Sequence, residues 1–188
     1  MKTKPGEKSP ILRLTTLGLM VAMSIALVST IHFPIFPQFN FLEYDPADIP
    51  IFICTYLFGP WWGLALTAVT CVVQGVTVSA QSGPYGIMMH FIATGTHVLV
   101  SGLIFRWLKG KLRLPAALVA GTVAWTLIMI PANLFITSIY MEAPQAVIIE
   151  MLPYILTFNL IKAGANSIIT GLVFYPVQTF YKKLHYGD

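Results

Sequence analysis

Charge is scarce in this chain: Asp, Glu, Lys and Arg make up 10% of its 188 residues, against roughly 25% in a typical soluble domain. With 56% hydrophobic residues beside that shortage, water is excluded as the solvent for most of the surface. Cysteine is nearly missing too. Cys54 and Cys71 lie in apolar stretches without the paired spacing of a metal site, so packing is their expected role, and neither a disulfide nor a metal is expected. No G-x-x-x-x-G-K-[ST] phosphate loop occurs, which rules out ATP hydrolysis by that route. Neither H-E-x-x-H nor an acidic pair within an apolar stretch occurs, which removes the usual means of metal-assisted or proton-coupled chemistry. Soluble domains, long-period repeats and low-complexity tracts are missing as well.

What the chain has is long apolar runs: Leu12–Ile31, Ile49–Val78, Gly86–Leu108, Ala116–Ile139 and Met151–Phe180. A helix needs roughly 20 apolar residues to cross the hydrocarbon core. The run Ile49–Val78 is too long for one crossing and contains Gly59-Pro60-Trp61-Trp62-Gly63, where proline removes a backbone donor and disfavours helix just before it. It therefore divides in two. The expected architecture is all-α, a single transmembrane domain over 1–188 with six helices at 12–31, 48–59, 62–79, 85–108, 115–138 and 151–181. An outer loop, 32–47, joins the first two; it carries Pro34, Pro37 and Pro46 among aromatic and acidic residues. The basic flank and first apolar stretch resemble a signal peptide, but about 20 apolar residues exceed the usual 7–15 of a cleaved one, so the segment is expected to stay as the first helix.

The cations orient this arrangement, because Lys and Arg collect in cytoplasmic loops. Six crossings from an inside N-terminus put Lys2, Lys4, Lys8, Arg13, Arg106, Lys109, Lys111, Arg113, Lys182 and Lys183 all in the cytoplasm. Five crossings would divide the same residues between the two sides. Six crossings, with both termini cytoplasmic, are therefore expected. Glu43, Asp45, Asp48, Glu142 and Glu150 fall in or beside the outer loops. The net charge of +4 then reflects topology, and no nucleic-acid partner is needed to explain it.

The remaining cation, Lys162, falls well inside the sixth helix, where an isolated Lys costs roughly 2.5–3.5 kcal/mol on insertion scales. Asn159, Lys162 and Asn166 stand at i, i+3 and i+7 and share one face of that helix. A Lys paired to an internal acid, or one snorkelling outward, would account for it structurally. No acid lies within any expected span, so contact with a substrate is the favoured reading. The fourth helix offers His90, Thr94, His97 and Ser101 on one face, the fifth Asn133 beside Pro131, and the third Gln74. For His97 an interhelical hydrogen bond is expected; for His90 that role and ligand contact are equally balanced. In the loop, Asp48 before Ile49-Pro50 has the pattern of an N-cap. Phe41, Leu42 and Tyr44 are apolar or aromatic and must pack on the helix ends or cover something bound there. Apolar walls with a few convergent polar groups describe a small-molecule pocket, here one suited to a flat, amphipathic ligand. On the first helix Gly18, Ala22, Ala26 and Thr30 form a row of small residues that would admit a close helix, either of this chain or of another membrane subunit.

Taken together, these residues resemble the substrate-binding S components of energy-coupling factor (ECF) vitamin transporters, most closely the riboflavin-specific branch. The likeness rests on Ala22-x-x-x-Ala26, on Phe41-Leu42-Glu43-Tyr44-Asp45-Pro46-Ala47-Asp48-Ile49-Pro50, on Phe58-Gly59-Pro60 with Gly63, on Gly83-Pro84 and on Phe158-Asn159-Leu160-Ile161-Lys162. It implies a vitamin held in the outer half of the bundle among the last three helices and closed over by the loop. Asn133, Asn159 and Lys162 would be polar contacts, with Phe41, Leu42 and Tyr44 in the closing loop. Tyr85, His90 and Asn166 complete the expected substrate-binding set. Gly18, Ala22 and Ala26 would dock a transmembrane coupling (T) subunit, and a pair of ATPase subunits would supply the energy. The chain itself would then be no enzyme and hold no cofactor, with riboflavin as cargo, in the cell membrane of a prokaryote. It departs from the branch at His90-Phe91, where an Asn often precedes the Phe, and at Thr70-Cys71, where a Lys-Asn pair is frequent. A different vitamin such as pantothenate is the alternative ligand. An intramembrane enzyme using Lys162 or His90 as acid or base is a weaker reading, because no nucleophile and base fall within plausible reach of each other.

Overall fold

The computed structural model describes residues 10–186; Lys2, Lys4 and Lys8 lie outside them. Helix α1 (Pro10–Thr30) is followed by a two-stranded hairpin, β1 (Phe33–Pro34) and β2 (Glu43–Tyr44), then α2 (Asp48–Phe58) and α3 (Pro60–Val76). After a short 3-10 turn at Ala80–Ser82 come α4 (Gly83–Trp107) and α5 (Arg113–Ala132). The latter continues through a π-helical turn, Asn133–Thr137, and a last turn, Ser138–Tyr140. The chain ends in the long α6 (Gln145–Tyr186).

Helix α2 is apolar on every side, and every residue from Asp48 to Tyr56 is buried. It is enclosed by protein, since α1, α3, α4 and α6 all pack on it. Around this axis α3 packs on α4, α4 on α5 and α5 on α6. Arg13–Thr30, Gly83–Trp107, Arg113–Tyr140 and Gln145–Leu184 are long and apolar enough to cross a membrane. The 11 residues of α2 and 17 of α3 reach roughly 16 and 25 Å at about 1.5 Å per residue, short of a hydrocarbon core about 30 Å thick.

The break between α2 and α3 is set by Gly59, whose φ of +106° is a conformation that side chains with a Cβ rarely adopt. Pro60 then opens α3, where its missing N–H costs nothing. The Arg106 guanidinium lies against the Gly59 backbone, with its Cζ 2.8 Å from where a Cβ would stand. Gly59→Ala should therefore lower stability by about 1–3 kcal/mol through backbone strain, with Arg106 forced aside. Thermal unfolding in detergent measures it, and an unchanged midpoint would show that the step relaxes freely.

Helix α6 begins six residues before the expected Met151, at Gln145. A tertiary contact accounts for this: Ile148 is fully buried in a cluster with Leu42 of the loop and Ile155 and Phe158 of α6. At the end of the bundle away from the loop, Arg106 meets Gly59, Arg13 lies over the Trp62 ring and Arg113 over Phe105. Phe58 packs edge-on against Tyr181 there. Lys109, Lys111, Lys182 and Lys183 belong to the same chain segments, so the described basic residues other than Lys162 gather at one end. On α1, Leu17, Met20 and Val28 are buried, whereas Gly18, Ala22 and Ala26 are exposed. Nothing lies within 4 Å of a Cβ built on Gly18. Among the described residues no helix covers the small-residue row.

Candidate ligand cavity beneath the loop

The loop between α1 and α2 is folded, not slack. Phe33 pairs with Tyr44 and Pro34 with Glu43 in the hairpin, and the Phe33 and Tyr44 rings stand 5.5 Å apart. Two tight turns follow from Phe39 N–H donating to the Phe36 carbonyl and Leu42 N–H to that of Phe39. They drive Leu42 inward, where it is 4% exposed and packs on α6. Burial of such a side chain supplies roughly 1.5–3 kcal/mol toward seating the loop.

Polar groups fasten what the apolar contacts seat. The Lys162 ammonium donates to Asp45 Oδ2 at 2.7 Å and to the Glu43 carbonyl at 3.3 Å. One turn further along α6, Asn166 donates to the Asp45 carbonyl at 3.0 Å and to Asp48 Oδ2 at 3.1 Å. The Tyr44 hydroxyl in turn donates to Asn166 Oδ1 at 3.0 Å. Burial, and after it the Asp45 carboxylate, push that hydroxyl above the ordinary tyrosine range, so it remains a donor at neutral pH. Asp45 Oδ1 accepts from Ala47 N–H at 3.0 Å, a turn that holds the carboxylate in place.

Three expectations need correction here. Lys162 does have an acidic partner, supplied by the loop through tertiary folding although no span contains one. Asp48 is not an N-cap: Ala47 holds that position without a side-chain bond. The Asp48 carboxylate instead accepts from His90 Nε2 at 3.1 Å, from the Thr94 hydroxyl at 2.8 Å and from Asn166. His97 makes no interhelical hydrogen bond, both ring nitrogens being buried without a partner. Its ring stacks on Phe52 at 3.8 Å and 7° and covers Gly121, where a Cβ would come within 2.8 Å of it. It is a packing group.

Beneath the fastened loop is a cavity of about 170 Å³, far beyond the ~10–15 Å³ that one water needs on the same measure. Phe41, Leu42, Tyr85, Trp125, Met129 and Phe158 contribute its apolar and aromatic walls. His90, Asn133, Asn159 and Lys162 converge on it from α4, the π-turn and α6. Of the expected substrate set, only Tyr44 and Asn166 do not line it; they bond to each other and hold the loop. In the wall, Asn159 Oδ1 accepts from the Trp125 indole N–H at 2.7 Å and its amide donates to the Ile155 carbonyl at 2.8 Å. Asn133 sits where Pro131 interrupts the α-helical ladder. Its amide donates to the Met129 carbonyl at 2.7 Å, and its Oδ1 accepts from Thr137 at 2.9 Å. π-turns of this kind are frequent at functional sites.

Sequence reasoning missed Trp125 as a wall residue. The signal was present, since Trp125, Met129 and Asn133 are spaced four apart and share a helical face. Asp45 as the partner of Lys162 had no comparable signal, their separation being 117 residues. Among the described residues no three His, Cys, Asp or Glu side chains converge as metal ligands would.

The family model for the ECF transporter substrate-specific component matches residues 12–174. The chain belongs to that family. Two transporters are similar to this substrate-specific component over nearly its full length. The riboflavin transporter FmnP of Bacillus subtilis (strain 168) is 25% identical over 181 residues, covering 91% of this chain and 94% of its own. The riboflavin transporter RibU of Staphylococcus aureus (strain TCH60) is 25% identical over 179 residues, covering 92% and 93%. A solved structure, described as the S component of a bacterial ECF transporter, superposes with a TM-score of 0.79 at 24% identity, covering 90% of this chain and 97% of its own. That likeness establishes the fold of the substrate-specific component as a helical bundle of the same kind. Its family makes it the part of a membrane transporter that recognises substrate.

Proposed function

We propose that this substrate-specific component captures riboflavin from outside a prokaryotic cell for import across the cell membrane. The single observation that carries the reading is the cavity under the loop: an aromatic and apolar slot whose lining also includes the polar residues Asn133, Asn159, Lys162 and His90. A planar ring system edged with carbonyl and N–H groups and bearing a hydroxylated chain matches both kinds of wall. The riboflavin transporters similar to this chain over more than nine-tenths of its length support the same ligand. The six main helices would all be membrane-embedded, with the basic end and both termini in the cytoplasm and the loop outside. A transmembrane coupling subunit and a pair of ATPase subunits would drive transport, the chain itself hydrolysing nothing. Riboflavin is cargo in this scheme and no resident cofactor is required.

Protein purified from cells in mild detergent should carry a yellow flavin, and added riboflavin should quench its tryptophan fluorescence. Of the four tryptophans Trp125 lines the cavity and Trp61, Trp62 and Trp107 do not, so Trp125→Phe should remove most of the quenching. A colourless preparation that binds no flavin would overturn the ligand assignment. Binding of pantothenate in its place would select the alternative vitamin. His90 and Cys71, which fall at the positions where this sequence differs from the riboflavin branch, both line the cavity.

A further inference from the structure

His90 enters the cavity wall from α4, and its ring is gripped from behind. The Nε2 atom lies 3.1 Å from Asp48 Oδ1. Asp48 is fully buried at the head of α2, and donors reach both its oxygens. The Thr94 hydroxyl, one turn from His90 on α4, donates to Oδ1 at 2.8 Å. The Asn166 amide donates to Oδ2 at 3.1 Å. A carboxylate satisfied as an acceptor at both oxygens accepts from the imidazole as well, so Nε2 carries its hydrogen whatever the charge of the ring.

The other ring nitrogen has no such partner. Unlike both nitrogens of His97, Nδ1 of His90 is not among the buried atoms without a partner. It makes no hydrogen bond with another described residue, so it is accessible and not engaged by the protein. We infer that Asp48 is a positioning residue: by holding Nε2 it turns Nδ1 of His90 toward the cavity, and the bound molecule is read on the α4 side through that atom.

The ligand class this suits is a small amphipathic molecule with a polar edge reaching α4 while its apolar face rests on the opposite wall. The inference rests on the vitamin-binding reading of the cavity. It adds a residue that does not itself line the cavity to those that determine specificity. The same carboxylate is joined through Asn166 to Tyr44 of the loop. Orientation of His90 and fastening of the loop therefore share one buried anchor.

Two measurements test this, and the first stands whatever the ligand. The first is the nitrogen NMR spectrum of protein labelled at its four histidines, with His90→Asn identifying the His90 signals. In the parent protein Nε2 of His90 should be protonated and hydrogen-bonded; in Asp48→Leu that fixed tautomer should be lost. A bare Nε2 in the parent protein would overturn the inference, whether or not any flavin binds. The second is a double-mutant cycle on riboflavin affinity. His90→Ala should weaken binding by roughly tenfold and Asp48→Leu by at least as much, and the double variant should be no weaker than Asp48→Leu alone, because the His90 contact is already lost there. Asp48→Asn, which keeps an acceptor for Nε2, should restore most of the affinity. Additive losses, or an Asp48→Asn variant as weak as Asp48→Leu, would show that Asp48 only braces the helices.

Discussion

Lys162→Met should leave the Asp45 carboxylate buried without its cation and destabilise the protein by about 3–5 kcal/mol, the usual cost of breaking a buried ion pair from one side. Riboflavin binding should fall at the same time, since the loop loses its strongest fastening. That loss alone does not distinguish a ligand contact from a structural pair, because the ammonium bonds to Asp45 and the Glu43 carbonyl while also lining the cavity. The double variant Lys162→Met/Asp45→Asn separates the two roles. It removes both charges and keeps an acceptor for the Ala47 N–H, so most of the stability should return. Binding should stay weaker by roughly 30–100-fold, the worth of a hydrogen bond from a charged donor. Thermal unfolding and fluorescence titration of the same samples measure both quantities. If affinity recovers with stability, Lys162 serves only to hold the loop.

Ala22→Trp should abolish vitamin uptake while leaving riboflavin affinity within about twofold of the parent, because Ala22 is exposed on α1, on the side away from the buried residues of that helix. The bulky ring would stand where a partner helix is expected to approach closely. Loss of co-purification with the coupling subunit, beside unimpaired flavin binding, is the expected result. Intact assembly and uptake would remove the docking role from the row Gly18, Ala22 and Ala26. The structure already answers half of the question the sequence left open, since no helix among the described residues covers that row.

The polar face of the last helix shows how far spacing alone could lead. Asn159, Lys162 and Asn166 were legible as one stripe because 3.6 residues per turn puts i, i+3 and i+7 together. Their division of labour was not legible. Asn159 meets Trp125 in the cavity wall, Asn166 holds the loop and α2, and Lys162 does both kinds of work. Asp48 shows the limit from the other side. Its local pattern of an acid before Ile-Pro fits a helix cap, yet three side chains from two other helices converge on its carboxylate. Partners more than forty residues away cannot be read from a local pattern.

The sequence by itself determined that this protein avoids water, that its chain breaks at Gly59-Pro60 and that the described basic residues other than Lys162 belong together at one end. Those properties follow from residue chemistry and backbone sterics, which act locally. Only the tertiary structure decided that Lys162 is paired, that His97 is packing and that Asp48 lies behind His90. Each depends on which atoms the folded helices bring within about 3 Å, the range at which a buried charge or ring nitrogen finds or lacks a partner.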